Sequence, residues 1–308
     1  MENEYTSTGI KLLHHPDVTK LIKTKHKAGP ISLQVAPTSH CNLNCSFCSN
    51  AKRDKHESLS VDVVCDLLSR LSHFGLNTVE WTGGGDPTLY ENINYVIAYA
   101  NVLGLEQGFI TNGVALYRVK DLDSLKWLRI SVNCLEYVDD IVIPEISGTL
   151  GFSYVWNERT DLKILGRIQR YVDKYKPAYV RIVPNCLASS DEQRINNDKY
   201  SELVSQWGPP YFYQRKEFER PDSCWWGYLK PFAHHDGWVY PCSSVVLNSG
   251  ADGRFHERFR WVRIVDIPKL YNNEMQPVAS DECDHCVFKK QNDHVSYLIN
   301  PTGMENFI

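Results

Sequence analysis

From residue 31 onward, short segments rich in Val, Ile, Phe, Tyr and Trp alternate with longer helix-like segments, two of which carry apolar residues every three or four positions. Nothing else in the chain limits the fold as tightly. The strand-like stretches are 31–36, 78–82, 107–111, 127–133, 152–156 and 179–184. Their β-branched and aromatic residues suit a pleated, half-buried surface. The helix-like stretches are 60–73, 91–103, 160–175 and 190–206. In the first, Val63, Val64, Leu67, Leu68 and Leu71 make one apolar stripe behind Ser60, a good N-cap residue. The third begins at Thr160 and carries Ile164, Leu165, Ile168 and Val172. Strands separated by helices pair in parallel, and right-handed crossovers lay the helices on the outer face. The reading is an α/β fold, a partial (β/α)6 barrel. Sites in such folds gather at the C-terminal ends of the strands.

Just past the first strand-like run, Cys41, Cys45 and Cys48 stand in Cys-Asn-Leu-Asn-Cys-Ser-Phe-Cys. A complete iron–sulfur cluster takes four Cys thiolates, so three on one loop leave one iron of a cubane without a protein ligand. Structural zinc takes four ligands, usually with paired Cys-x-x-Cys or His partners, and this spacing differs. About 40 residues later, Val79-Glu-Trp-Thr-Gly-Gly-Gly-Asp-Pro-Thr passes from a β-like segment into a glycine-rich turn. Glycine lets backbone approach a ligand closely.

With both motifs in place, the chain resembles the radical SAM enzymes, with Phe47 in the aromatic slot of the cysteine motif. The resemblance implies a 4Fe–4S cluster on the three cysteines, whose open iron chelates S-adenosylmethionine. One electron then splits the sulfonium into methionine and a 5′-deoxyadenosyl radical, which abstracts a substrate hydrogen. It also implies that Gly84, Gly85, Asp86 and Pro87 bind the methionine amino group, Asp86 standing where Glu is commoner. Backbone beside Phe47 is expected to meet adenine. The strand-end rule adds Thr111 and Asn112, and the resemblance assigns Ser131, Asn133 and Asn157 to ribose and carboxylate contacts. The alternative is that these polar groups only satisfy nearby backbone.

After residue 207 the character changes. Trp207-Gly-Pro-Pro reads as a break, dividing the chain into an N-terminal extension (1–30), a barrel (31–206) and a C-terminal module (207–308). In the extension, His15-Pro16 opens a short helix. In the module, Cys224 and Cys242 flank a hairpin turning at Asp236-Gly237, and Cys283-x-x-Cys286 closes the set. Four thiolates suit zinc or a fully ligated 4Fe–4S cluster. The resemblance, to the shortened SPASM module called Twitch, favours an auxiliary 4Fe–4S cluster. His234, His235 and His285 are read as surface or supporting groups, since four cysteines complete a site.

Of the remaining cysteines, Cys65 lies on an apolar helix stripe and reads as core. Cys134 and Cys186 fall just past strand ends and are candidate hydrogen-atom donors, Cys186 the better, unless both are packed beneath loops. Arg181 can clamp a carboxylate or phosphate with its guanidinium fork: the cofactor's, the substrate's, or a structural aspartate's.

A net charge of −4 argues mildly against nucleic-acid binding through a basic face. No run of eighteen apolar residues appears, and the acidic N-terminus is not a signal peptide. Ten cysteines without a secretory signal read as metal ligands in a reducing cytoplasm. The resemblance implies a reducing partner such as flavodoxin or ferredoxin. Among substrates it favours a peptide, modified by epimerisation, crosslinking or oxidation. A small polar metabolite comes next, and a modified nucleoside or nucleic-acid base after it. A simple electron-transfer module would have no use for an open iron or the Gly84–Pro87 turn.

Overall fold

The structure, a computed structural model, describes residues 4–51, 54–215, 219, 221–247, 255–278, 283 and 286–306. Helix α1 (Pro16–Lys25) starts at the expected proline. Strands β1 (Ser32–Val35), β2 (Thr78–Trp81), β3 (Glu106–Thr111), β4 (Trp127–Ser131), β5 (Thr149–Trp156) and β6 (Tyr179–Pro184) then lie side by side in chain order, all parallel. Between or after them come α2 (Val61–His73), α3 (Ile93–Val102), α4 (Leu162–Tyr175) and α5 (Ser190–Ser205).

Local chemistry sets the element ends. Ser60 caps α2 by accepting from the Val63 N–H at 3.3 Å. Helix α4 is capped by Asp161, not begun at Thr160, because the Asp161 carboxylate accepts from the Ile164 N–H at 2.8 Å. Strand β4 stops at Ser131 rather than 133, and residues Val132–Glu136 wind into a 3-10 turn. Strand β7 (Tyr211–Tyr213) follows the Gly-Pro-Pro break yet pairs parallel with β6, so the sheet runs past residue 207. Three residues are too few for a periodic signal.

The C-terminal part joins the other edge. Strands β8 (Phe232–Ala233) and β9 (Trp238–Tyr240) form the expected antiparallel hairpin. Strand β8 pairs parallel with β1, and β10 (Val262–Arg263) pairs antiparallel with β9, giving one ten-stranded sheet. Short helices α6 (Ser243–Leu247) and α7 (Pro268–Asn272) and the longer α8 (Lys289–Ile299) complete the described elements. Among the described residues no helix is long and apolar enough to cross a membrane.

Strand side chains alternate between two faces. Leu33, Val35, Val79, Phe109, Leu128 and Ile130 face outward and are buried with Val64, Leu67, Leu68 and Leu71 of α2 and Val96 and Ile97 of α3. Each such side chain contributes about 1.5–3 kcal/mol by leaving water. The opposite face carries Ser32, Gln34, Glu80, Arg129 and Arg181 toward the lumen of the curled sheet. Parallel sheets usually read as apolar on both faces. A polar inner face therefore marks a candidate binding surface.

Candidate cofactor and cluster sites

The cysteine loop leaves β1 through a neck that is stitched shut. Ser39 N–H donates to Glu57 O at 2.9 Å, Glu57 N–H donates to Ser39 Oγ at 2.9 Å, and the Thr38 and Ser58 hydroxyls bond at 2.7 Å. Beyond the neck, Cys48 N–H donates to Cys45 O at 3.1 Å. Burial, then the neighbouring sulfurs of Cys48 and Cys41, push the Cys45 thiol up to about 12. The three sulfurs are thus close enough to feel one another. Asn112 Nδ2 lies 3.8 Å from Cys41 Sγ. Phe47 is half-buried in the turn between the last two cysteines.

The glycine turn is docked onto this loop by backbone. Gly85 N–H donates to Thr38 O at 2.9 Å, and Asp86 N–H donates to His40 O at 2.7 Å. A Cβ at Gly85 would sit 2.0 Å from His40 O, so only glycine permits the approach. The Asp86 carboxylate turns inward. It accepts from Thr88 N–H at 3.0 Å, Thr88 Oγ1 at 2.6 Å, Thr111 Oγ1 at 2.9 Å and Asn112 N–H at 2.7 Å. Burial pushes its pKa up against the pull of those donors. Its carboxylate caps the 3-10 turn that starts at Pro87 and ties that turn to the end of β3. What the turn can offer a ligand is therefore its backbone.

At the ends of β4 and β5 the expected asparagines serve a residue that sequence reasoning missed. Asn133 (Nδ2, 2.8 Å) and Asn157 (Nδ2, 2.9 Å) both donate to Glu136 Oε1. Asn133 also clasps the Val155 N–H at 2.7 Å and the Val155 carbonyl at 3.0 Å. Both amides are spent on backbone and on Glu136, while Ser131 stays half-buried at the strand end. Glu136 Oε2 is buried with only the Tyr154 hydroxyl beside it, and no well-formed hydrogen bond satisfies it among the described residues. It is near enough to Cys45 to help raise that thiol. An orphaned carboxylate oxygen, a three-thiol loop and a backbone cradle fit a cluster carrying a ligand rich in N–H and O–H donors. The only signal for Glu136 in the sequence was an acidic residue just past a strand end.

The hairpin turn between β8 and β9 corrects the expectation that its histidines could lie on the surface. His234 and His235 are 4% and 6% exposed, with ring centroids 3.8 Å apart. A Cβ at Gly84 would lie 2.4 Å from His235 Cδ2. His235 Nδ1 meets Glu57 Oε2 at 2.9 Å, and His234 Nδ1 meets Asp236 Oδ1 at 3.2 Å. The pair roofs the glycine turn and pins the C-terminal hairpin to the neck of the cysteine loop. His285 lies outside the described residues.

Cys224, Cys242, Cys283 and Cys286 line one pocket together with Trp226, Val287 and Phe288. Burial, then the other three sulfurs, push the Cys224 thiol well up. Burial likewise pushes Cys242 up to about 12 and Cys286 up to about 11. Against this, backbone N–H groups point at the sulfurs: Gly227 at Cys224, Val245 and Ser244 at Cys242, Phe288 at Cys286. Crowded, buried sulfurs with N–H donors suit thiolates that have lost their protons to metal. Among the described residues no three His, Cys, Asp or Glu side chains converge on one ion. Cluster ligands sit on separate irons and need not converge.

The other candidates are dispersed. Cys134 is 1% exposed in the core, facing Cys45 and Asp86, and burial pushes its thiol to about 12. Cys186 is half-buried in the turn after β6, where Gln193 Nε2 meets its carbonyl at 3.4 Å. Arg181 lies in the lumen and donates to Gln214 Oε1 at 2.9 Å.

Residues 35–149 match the family model described as the Radical SAM superfamily. An S-adenosylmethionine-dependent nucleotide dehydratase of Flammeovirga pacifica is 27% identical over 119 residues, 36% of this chain and 41% of that protein. A PqqA peptide cyclase of Xanthomonas oryzae is 32% identical over 88 residues, 28% of this chain and 23% of that protein. The chain thus spans less than half the length of these curated relatives. The crystal structure of Streptococcus suis SuiB bound to its precursor peptide SuiA is similar with a TM-score of 0.54 at 14% identity, covering 89% of this chain and 73% of that one. The enzyme anSMEcpe, with bound AdoMet and a peptide, gives 0.52 at 14% identity, covering 88% and 84%. At that identity the likeness is one of fold.

Proposed function

The chain belongs to the radical SAM superfamily of enzymes through residues 35–149, and we propose that it cleaves S-adenosylmethionine reductively and removes a hydrogen atom from a substrate held in the lumen of the sheet. One observation carries the reading: the three-cysteine loop and the glycine turn are fused backbone to backbone, at Thr38–Gly85 and His40–Asp86. Neither motif could shift without the other.

Cys41, Cys45 and Cys48 would hold the first cluster, and Gly84 and Gly85 would cradle the cofactor's amino group through backbone. Glu136 Oε2 would accept from a cofactor hydroxyl or ammonium, with Asn133 and Asn157 fixing its other oxygen. When bound, the cluster and S-adenosylmethionine supply a carbon radical able to abstract hydrogen. Cys224, Cys242, Cys283 and Cys286 would hold an auxiliary 4Fe–4S cluster, suited to carry off the electron that an oxidised product releases. A flavodoxin or ferredoxin would supply the reducing electron.

For the substrate, the peptide reading draws on SuiB and anSMEcpe, both seen with bound peptides. A second reading, a small polar metabolite, is favoured by the lumen itself: about 620 Å3 is the size of a single small-ligand site. The enzyme reading is tested by incubating anaerobically reconstituted protein with dithionite and S-adenosylmethionine. Formation of 5′-deoxyadenosine and methionine, abolished by Cys45→Ser, is the expected result. No 5′-deoxyadenosine from protein with intact clusters would defeat it.

A further inference from the structure

The lumen cavity lies along the N-terminal halves of the strands, lined by Gln34, Glu80, Trp127, Arg129, Tyr179 and Arg181 among others. It meets the four-cysteine pocket at Trp226, Val287 and Phe288, which line both. The cysteine loop and the glycine turn do not line it. Tyr5 stacks on Tyr179 at 4.4 Å and helps wall it from the N-terminal side.

Its charges do not cancel. The lining includes the cations Lys11, Lys126, Arg129, Arg181, Arg215 and Lys230, against Glu4, Glu80 and Glu106. Lys126 pairs with Glu106 at 3.1 Å, Lys230 with Glu80 at 2.5 Å, and Arg215 with Asp198 at 2.6 Å. Lys11 is spent on the carbonyls of Glu4 and Thr6. Arg129 and Arg181 remain. Arg129, 9% exposed, donates Nε to the Tyr179 hydroxyl at 2.9 Å and Nη2 to the Tyr5 carbonyl at 3.2 Å. Arg181 donates only Nη1, to the neutral amide of Gln214, and its Nε is buried with no partner. Among the described residues neither guanidinium forms an ion pair with a carboxylate; Glu80, already bonded to Lys230, acts on both only at a distance. Burial, then the charge of Arg129 nearby, push Arg181 down to about 9, which still leaves it protonated at neutral pH. Arg129 on β4 and Arg181 on β6 face the same cavity across β5, close enough to feel each other's charge, and such a pair is poorly solvated unless an anion joins it. Guanidinium forks match the oxygens of carboxylate or phosphate in geometry as well as charge.

We propose that the lumen binds an oxyanion of the substrate, a carboxylate or a phosphate, between Arg129 and Arg181. The word substrate rests on the function proposed above; the anion site itself does not. Arg181 then has the second of its three possible roles. The described residues give it no structural aspartate, and its cavity is not the one the cysteine loop and glycine turn border.

Calorimetric titration of the reconstituted full chain with inorganic phosphate, and separately with glutarate, at fixed ionic strength tests it. Wild type is expected to bind one of the two at one site, and which one binds tells phosphate from carboxylate. Arg129→Gln and Arg181→Gln should each weaken binding roughly 10- to 100-fold, as for a lost charged hydrogen bond, while Arg194→Gln, outside the cavity, leaves it unchanged. Without anion, Arg181→Gln should melt no lower than wild type, because it relieves repulsion. A purely structural arginine would show the opposite. Wild type that binds neither anion overturns the proposal whatever the variants do, and so does binding that survives in the double variant. Formation of 5′-deoxyadenosine is scored separately on the same preparation, so a missing anion site and a missing radical activity remain distinguishable.

Discussion

Replacing Asp86 with asparagine isolates the carboxylate that brackets the glycine turn. Oδ1 accepts from the Thr88 N–H at 3.0 Å and the Thr88 hydroxyl at 2.6 Å, while Oδ2 accepts from the Asn112 N–H at 2.7 Å. The Thr111 hydroxyl lies 2.9 Å from each oxygen. An asparagine has one oxygen. Whichever way its amide turns, an NH2 group faces a backbone N–H, of Thr88 or of Asn112. One buried donor left unmet costs about 1–3 kcal/mol, and the surviving bonds lose their charge assistance. The expected total is about 2–4 kcal/mol, a fall in melting temperature of roughly 3–6 °C for a chain of this size. Circular-dichroism melts of reconstituted wild type and Asp86→Asn measure it. Electron paramagnetic resonance of the reduced protein with and without S-adenosylmethionine should also show a weakened cofactor response. A variant within about 0.5 kcal/mol of wild type with an unchanged cofactor response would refute the bracket.

Gly85→Ala should displace the cysteine loop, because its Cβ would meet the His40 carbonyl at 2.0 Å and backbone cannot swing aside. A loss of about 1–3 kcal/mol and slower iron uptake are expected, read by melting and by iron assay. Glu80 is depressed below its ordinary pKa: burial alone would raise it, but Lys230 and Gln34 outweigh burial. Its stabilising contribution is therefore complete above the unfolded-state value of about 4.3 and fades as pH falls below it. Urea titrations should show Glu80→Gln about 3–5 kcal/mol less stable at pH 7, where Lys230 loses its buried partner, with the gap closing toward pH 3. Cys224→Ser should lower the iron content from about eight per chain to about four while leaving the S-adenosylmethionine-sensitive signal in place; an unchanged count would contradict the auxiliary cluster.

The parallel order of β1 to β6 was readable because each strand is a compact β-branched or aromatic run and helices α2 and α4 carry clear apolar stripes. Ser60 announced its cap. Asp161 did not, because Thr160 beside it is an equally good capping type and only the Asp161–Ile164 geometry decides. Strand β7 was invisible: three residues behind a Gly-Pro-Pro break give no period, and its existence depends on β6 being there to pair with. The Cys41–Cys45–Cys48 set was legible as a group because spacing along a loop is local, and the grouping of Cys224, Cys242, Cys283 and Cys286 in one pocket followed from the hairpin signal. The cofactor contacts were less so. Asn133 and Asn157 read in the sequence as cofactor contacts or as backbone partners; that both also hold Glu136, Asn133 from the same turn and Asn157 from the end of β5, depends on β4 and β5 lying side by side. The burial of His234 and His235 was hidden for the same reason, since it depends on the hairpin lying beside β1 and reaching Gly84.

Whether one iron on the Cys41–Cys45–Cys48 loop truly lacks a protein ligand can be asked directly. Electron–nuclear double resonance on the reduced Cys224→Ser protein, given S-adenosylmethionine labelled with 15N in its amino group and 17O in its carboxylate, reports which atoms touch that iron. Hyperfine coupling to both labels is the result expected here. A reduced cluster at this loop that shows neither coupling, or a zinc ion in its place, would contradict it.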